Sequence, residues 1–506
     1  MPYVYPVHSE HILVISFPTI SHTRSLIQLL DSVTQTYNHT ATVITTTMVA
    51  NDVKLQFGPA VDIVISSVLD EADFVGKNAK VAREICVLKE AGIINVLGLF
   101  DLVTFCNDFH NEAELLKHLK NRNFDLAIVD NVPIAECFAS LAYKLGLPYI
   151  NFGINYDPVR MRIPFSPASI SPHRRLVIGD KLDFLERMQS VFTSIVLELA
   201  PSYLLPITNV AKYVSGGSPI TGNQLMSKAS FHLITLDFLI DYPQPSLPHV
   251  AFVGGMNTKP SEPLPEIFQE FLDSSVDGAV IVSLGAGFNG FPNERINTFI
   301  RAFKRRPEIH FIIKHSVSEY REDNVMVSPW IPQNDLLGHP KIIAFMTHCG
   351  KHSQFEALYH GVPMIGFPLC HDQYYNCERM KEKGYGFVLN FCSFTVNDIE
   401  VALETVITQK NFQYNIRNAS QVFHSRSDTP LQRASYWIDH IIRYGDKFVH
   451  SYSSDMPWYQ YYLLDILLVV GMMFGAVVYF TAFLFHKLRY IFGQLNKRVL
   501  DKIKTN

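Results

Sequence analysis

The stretch "MTHCGKHSQFEALYHG", Met346 to Gly361, decides how the rest of the chain is read. It grows out of an apolar run, Ile342–Thr347, with the character of a buried strand. Lys351–His360 has a helical pattern, so His348-Cys349-Gly350 is the turn between them. A helix that starts at a strand end presents free backbone N–H groups and a positive dipole end, which together suit phosphate. Gly350 allows a tight turn and a close approach of an anion to the backbone. Ser353 adds a hydroxyl in the first turn, and Glu356 follows on the same side of the helix. A carboxylate there repels phosphate but can accept two hydrogen bonds from ribose hydroxyls. The stretch therefore reads as a phosphate site followed by a ribose anchor. An ordinary strand, turn and helix with a surface glutamate is the plainer alternative.

The same rhythm extends on both sides. Ala279–Gly285, Ile309–Lys314, Val325–Ser328 and Val362–Phe367 are further short apolar runs, each followed by a helical pattern. Before them, Asp241–Glu266 is rich in proline and reads as an extended linker. Upstream the alternation recurs, with candidate strands at Ile12–Phe17, Ala41–Thr46, Val61–Ser66, Leu126–Val129 and Pro148–Asn151. Two doubly wound α/β domains joined by a linker place a cleft between the carboxyl ends of their strands. Residues 155–230 are less regular, rich in Pro, Met and Leu, and suit a greasy substrate wall.

The chain has 506 residues, too many for one core, and 48% are hydrophobic against 18% charged, so disorder is excluded as its general state. The 43 basic and 47 acidic residues leave no basic domain, which argues against a nucleic-acid partner. Seven cysteines without a CxxC pair argue against zinc and against a disulfide framework; buried thiols are the expectation.

Ile466–Phe485 is an uncharged run of 20 residues. At about 1.5 Å per residue it spans about 30 Å, one hydrocarbon core. Trp458, Tyr459, Tyr461 and Tyr462 precede it as an interfacial belt, and Lys487, Arg489, Lys497, Arg498, Lys502 and Lys504 follow it. The positive-inside rule puts the basic tail in the cytosol and the N-terminal part across the membrane. The ending "KIKTN" resembles a dilysine retrieval signal, and the sequons at Asn38 and Asn418 fit a lumenal domain. At the other end, "HILVISFP" reads as a first core strand and not as a signal peptide.

The passage Trp330–Gln373 carries W-x-P-Q, H-x-G-x-x-S, a glutamate three residues on, G-x-P-M and D-Q. It resembles the donor signature of the UDP-glycosyltransferases, and most closely the membrane-bound UDP-glucuronosyltransferase group of animals. "FVGG" (Phe252–Gly255), "SLG" (Ser283–Gly285) and "WYQYYLLD" (Trp458–Asp465) extend the likeness. The resemblance implies a GT-B fold of two Rossmann-like domains facing a cleft, plus one C-terminal transmembrane helix. The acceptor-binding domain would occupy 1–240 and the linker 241–275. The UDP-sugar domain would occupy 276–445 and a juxtamembrane segment 446–465, ahead of the transmembrane helix 466–485 and a cytosolic basic tail 486–506. It implies that Trp330 and Gln333 hold the uracil, and that His348, Gly350 and Ser353 hold the diphosphate with help from His352. Glu356 would bind ribose, and Asp372 and Gln373 the transferred sugar. For Asp372 a helix N-cap is the plainer role.

Glycosyl transfer to a hydroxyl needs a base, and histidine suits that task. The first strand ends at Ser21-His22, where members of this family carry the catalytic histidine. Asp130, at the end of "FDLAIVD", matches its paired aspartate, whereas Asp125 lies at the wrong end of that strand. The resemblance implies direct, inverting displacement from UDP-glucose or UDP-glucuronate onto a small lipophilic acceptor. No D-x-D occurs in the chain, so no metal or other cofactor is expected. Glucuronosyl members carry an arginine where this chain has Thr235, which favours glucose. Ala286 replaces a serine often found after "SLG". Membrane lipid is the expected partner of the terminal helix, and homo- or hetero-oligomeric assembly is left open. The competing reading is a non-catalytic protein that keeps the fold to bind UDP-sugar or to assemble with active relatives.

Overall fold

The computed structural model describes residues 9–53, 58–72, 104–131, 135–169, 182–203, 220–285, 293–315, 320–369 and 372–504. The chain divides into two units, 1–450 and 451–506.

The first unit holds two sheets. The first sheet contains β1 (His11–Ile15), β2 (Thr40–Thr45), β3 (Val61–Ile65), β4 (Leu126–Asp130), β5 (Tyr149–Gly153), β6 (Phe231–Ile234) and β7 (Val250–Phe252). Its order is β3-β2-β1-β4-β5-β6-β7, and every pairing is parallel. Covered on both faces, its central strands can be apolar throughout; all five residues of β4 and of β5 are buried. The second sheet contains β8 (Ala279–Ser283), β9 (His310–Lys314), β10 (Tyr320–Glu322), β11 (Val325–Ser328), β12 (Ile342–Thr347), β13 (Met364–Gly366) and β14 (Gly386–Val388). Its order is β10-β11-β9-β8-β12-β13-β14, with only the edge pair β10–β11 antiparallel.

The proline-rich passage is bounded by packed segments. Just before it, Leu239 and Ile240 enter the core of the second sheet. The helix Glu266–Asp273, started by Pro265, buries Phe268, Phe271 and Leu272 there. The helix Pro430–Tyr444 comes from the stretch assigned to the UDP-sugar domain, yet it packs on the first sheet. Ala434, Ile438 and Ile441 join Leu26, Leu29, Leu30 and Val33 in one core, and Trp437 stacks on Phe231 at 4.5 Å. Its apolar stripe fits the outer face of helix Ile20–Tyr37, and Thr429 with Gln432 forms a capping box at its start. Arg426, just before it, forms a two-pronged pair with buried Asp237.

The second unit is dominated by the helix Leu464–Lys504. Its stretch Leu464–Arg498 is long and apolar enough to cross a membrane, and none of its most apolar window is buried inside the protein.

Candidate active site

In each sheet the strand order reverses once beside the first strand, and ligands bind in the crevice outside the carboxyl ends at such a point. In the first sheet that point lies between β1 and β4. His22 stands in the first turn of the helix that follows β1, and Asp130 ends β4. His22 Nδ1 lies 2.8 Å from Asp130 Oδ2, which also accepts the Phe17 N–H at 3.1 Å. The Asp130 carboxylate is 1% exposed and the imidazole 25% exposed. With Nδ1–H donated to the carboxylate, Nε2 carries the lone pair. Burial pulls the imidazole pKa down, but the charge and hydrogen bond of Asp130, with the charge of Asp372, raise it above 6.5. Phe17 sets its ring edge-on to the imidazole at 5.4 Å. Asp125 sits at the other end of β4 and accepts the His11 N–H at 2.8 Å.

In the second sheet the reversal lies between β8 and β12. His348 follows β12, and its ring lies between two glycines. A Cβ on Gly285 would sit 2.6 Å from Nε2, and one on Gly350 would sit 2.4 Å away. Gly285 also has φ +91°, which disfavours any side chain. Burial and the nearby Lys314 charge push His348 down to about 4, against the pull of Asp372. Gly350 is the N-cap of helix Lys351–His360 and supplies no side-chain cap. Ser353 is buried and accepts the Gln333 Nε2–H at 3.2 Å, and the same amide donates to Glu356 Oε2. Burial pushes the Glu356 carboxyl up to about 7. Trp330, in the loop after β11, is 58% exposed. Asp372 occupies the N-cap position of helix Gln373–Glu382 but makes no side-chain cap; its carboxylate accepts Asn376 Nδ2–H at 2.6 Å. Gln373 is buried, and its Oε1 accepts the Leu369 N–H at 2.8 Å. All these side chains follow the carboxyl ends of β11, β12 and β13.

The two halves meet across this edge. His352 Nε2 lies 2.8 Å from Ser25 Oγ, one turn beyond His22. Burial and the charge of His22 push His352 down to about 4, while Asp372 pulls the other way. His22, His348 and His352 thus all feel Asp372. Sequence reasoning missed Ser25, which carries no signal beyond its spacing from His22. It also missed a buried ion pair between Lys351 and Asp241. A cavity beside this pair is lined by Thr235, Asn257, Lys351, His352, Phe355 and Glu356 among others. Thr235 Oγ1 and Asn257 Oδ1 are buried without a hydrogen-bond partner.

The greasy segment is mixed among its described residues: Val159, Met161, Ile163, Leu225 and Met226 are buried. On helix Phe184–Tyr203, Phe184, Leu185, Met188, Val191, Phe192 and Ile195 are exposed, while Ser190 and Thr193 are buried. Composition shows an apolar stripe but not which way it faces. One expectation is corrected: among the described residues four cysteines are buried, but not as thiols, because Cys106 pairs with Cys137 and Cys349 with Cys377; half-buried Cys392 is also disulfide-bonded. The partners stand 31 and 28 residues apart and meet only through the sheet topology, so spacing could not reveal them. Among the described residues, Cys106, His110 and Cys137 have metal-ligand proximity, but the disulfide removes both thiolates as ligands. Ala286 lies outside the described residues.

Comparison with known proteins agrees with this geometry. Residues 18–502 match the family described as UDP-glucoronosyl and UDP-glucosyl transferase. UDP-glucuronosyltransferase 2A3 of Homo sapiens is 34% identical over 396 residues, 76% of this chain and 74% of that protein. UDP-glucuronosyltransferase 1A5 of Rattus norvegicus is 31% identical over 400 residues, 76% of this chain and 73% of that protein. Among solved structures, the spinosyn forosaminyltransferase SpnP superposes with a TM-score of 0.61 at 16% identity, covering 86% of this chain and all of its own. A UDP-glucosyltransferase from Polygonum tinctorium capable of glucosylating indoxyl superposes at 0.58 and 16% identity, covering 87% and 99%. The architecture shared with these structures is the GT-B fold.

Proposed function

The chain belongs to the UDP-glucuronosyl and UDP-glucosyl transferase family and is a UDP-sugar glycosyltransferase; on that premise we propose that His22 is the base that activates its acceptor. The supporting observation is the 2.8 Å contact of His22 Nδ1 with buried Asp130. His22 Nε2 takes the proton of an acceptor hydroxyl as its oxygen attacks the anomeric carbon from the face opposite UDP. The C1–O bond to the diphosphate breaks, its electron pair leaves with UDP, and the configuration inverts. Asp130 fixes the tautomer and stabilises the imidazolium that forms. Negative charge on the leaving diphosphate is met by the uncapped start of helix Lys351–His360, with Gly350, His348, His352 and Ser353 around it. No step is routed through a metal.

Trp330 stacks on the uracil and Gln333 hydrogen-bonds it. Glu356 accepts the ribose hydroxyls, and Asp372 and Gln373 take hydroxyls of the sugar. The sugar is glucose in this reading. The cation lining the cavity beside Glu356, Lys351, is already paired with Asp241. The bare oxygens of Thr235 and Asn257 suit sugar hydroxyls better than a carboxylate. The acceptor is a small lipophilic hydroxyl compound, for which Phe17 gives an apolar wall next to the base.

Helix Leu464–Lys504 anchors the enzyme in the endoplasmic reticulum membrane, with residues 1–450 in the lumen and the basic tail in the cytosol. Exposed sequons at Asn38 and Asn418 and the disulfides fit that oxidising side. Purified full-length chain, given UDP-glucose or UDP-glucuronate with a phenol acceptor, tests the reading. UDP release from UDP-glucose that vanishes in His22→Ala supports it; equal rates in the two proteins refute it.

A further inference from the structure

Cys349 is an odd residue for its place. It stands between His348 and Gly350 with φ +63°, a left-handed backbone that costs a β-carbon-bearing residue energy unless the surroundings enforce it. Its sulfur is bonded to Cys377, in the second turn of helix Gln373–Glu382. The start of that helix carries Asp372 and Gln373. Three further contacts run along the same path. Asn376 Nδ2 donates to the Cys349 carbonyl at 2.9 Å and to Asp372 Oδ2 at 2.6 Å. Gln354, on the helix that Gly350 caps, donates to the Asn376 carbonyl at 2.9 Å. Gly366, at the end of β13, leaves the space the bridge needs: a Cβ there would lie 2.5 Å from both sulfurs. Both cysteines and Asn376 are buried.

We propose that the Cys349–Cys377 disulfide, with Asn376, is a positioning device that ties the diphosphate turn to the sugar-holding start of the next helix, so that the two halves of the UDP-sugar are gripped at a fixed separation. The inference rests on the donor roles given above. The bridge touches no substrate atom. It acts by holding His348, Gly350 and Asp372 where they are, and it removes from the turn the freedom that a residue at positive φ would otherwise regain. Its effect falls on donor binding, because the base and its aspartate belong to the other sheet.

The test has two arms on the full-length enzyme. Alkylation in denaturant, before and after reduction, followed by mass spectrometry reads the bond directly. Cys349 and Cys377 should stay unmodified in the denatured, unreduced enzyme and become modified after dithiothreitol; alkylation of both without reductant overturns the proposal. Steady-state kinetics of Cys377→Ala, which leaves residue 349 in place, reads the function. The KM for the UDP-sugar should rise about tenfold, with the acceptor KM and kcat within about twofold of the parent. A misfolded fraction lowers apparent kcat and leaves both KM values alone, so it cannot imitate that split. The double variant Cys349→Gly/Cys377→Ala, free of the φ penalty, should show the same rise. A donor KM that is unchanged in Cys377→Ala, or restored in the double variant, overturns the tie as the cause. If the parent enzyme releases no UDP at all, it is the transferase reading that fails, and the alkylation arm still reports on the bond.

Discussion

His22 and His348 occupy equivalent places. Each follows the carboxyl end of a strand at the point where its sheet reverses order, His22 in the first turn of a helix and His348 in the turn that leads into one. Their surroundings drive them in opposite directions. His22 donates to a buried carboxylate and its pKa is raised above 6.5. His348 is packed between the positions of two glycine α-carbons, is influenced by Lys314, and falls to about 4. One imidazole is ready to take a proton and hold the charge. The other stays neutral through the physiological range and can serve a phosphate oxygen only as a hydrogen-bond donor. The fold supplies two like positions, and second-rank neighbours decide which does acid–base work.

The most damaging way to break this contrast is to remove the base. His22→Ala is expected to lower kcat by about 10²–10⁴-fold, measured as UDP release, with the donor KM little changed. Asp130→Asn is expected to cost a comparable factor and to move the pH profile as well. Activity of the parent should fall on acidification through the His22 pKa, above 6.5, because the protonated imidazole cannot accept. With Asp130 neutral, burial is left as the dominant influence, so the acid limb should shift to lower pH. An unshifted limb would assign the titration to another group. On the other side, Gly350→Ala puts a methyl 2.4 Å from His348 Nε2 and should raise the donor KM by about tenfold or more while leaving the pH profile alone. A shifted profile in that variant would show that the two histidines do not divide the work.

The placement of both histidines is legible in the sequence, though their opposite surroundings are not. Buried parallel strands are apolar runs, so Val325–Ser328 and Ile342–Thr347 were read to the residue and most others to within one or two. The candidate residues follow strand ends, so the strand positions together with the family resemblance point to His22, Asp130 and the Met346–Gly361 turn. Strands escaped where the signal is short or mixed: β6 has His232 in its middle, and β7, β10 and β14 are three residues each. What needed three dimensions was hidden: the Ser25–His352 contact, the Lys351–Asp241 pair, the two disulfides and the return of helix Pro430–Tyr444 to the first sheet. The outward face of Phe184–Tyr203 was hidden too, because an amphipathic stripe has no sign until it is packed.

A subtler measurement sharpens the comparison without touching either histidine. Glu356 has its carboxyl pushed up to about 7 by burial, so the empty site is only partly ionised at neutral pH. Ribose hydroxyls need an acceptor on both oxygens, which the protonated acid does not offer. UDP should therefore bind a few-fold more weakly at pH 6 than at pH 8, as read by calorimetry. His348 and His352, at about 4, do not change charge over that range, so they cannot mask the effect. Any charge that His22, whose pKa is raised, gains on acidification is positive, so it would strengthen anion binding and oppose the predicted trend. Glu356→Gln should lose the weakening on acidification, leaving only whatever opposite trend His22 contributes. If the parent instead bound more tightly on acidification, and His22→Ala abolished that gain, then His22 would be acting on the diphosphate as well as on the acceptor, and the division of labour between the two switch points would be incomplete.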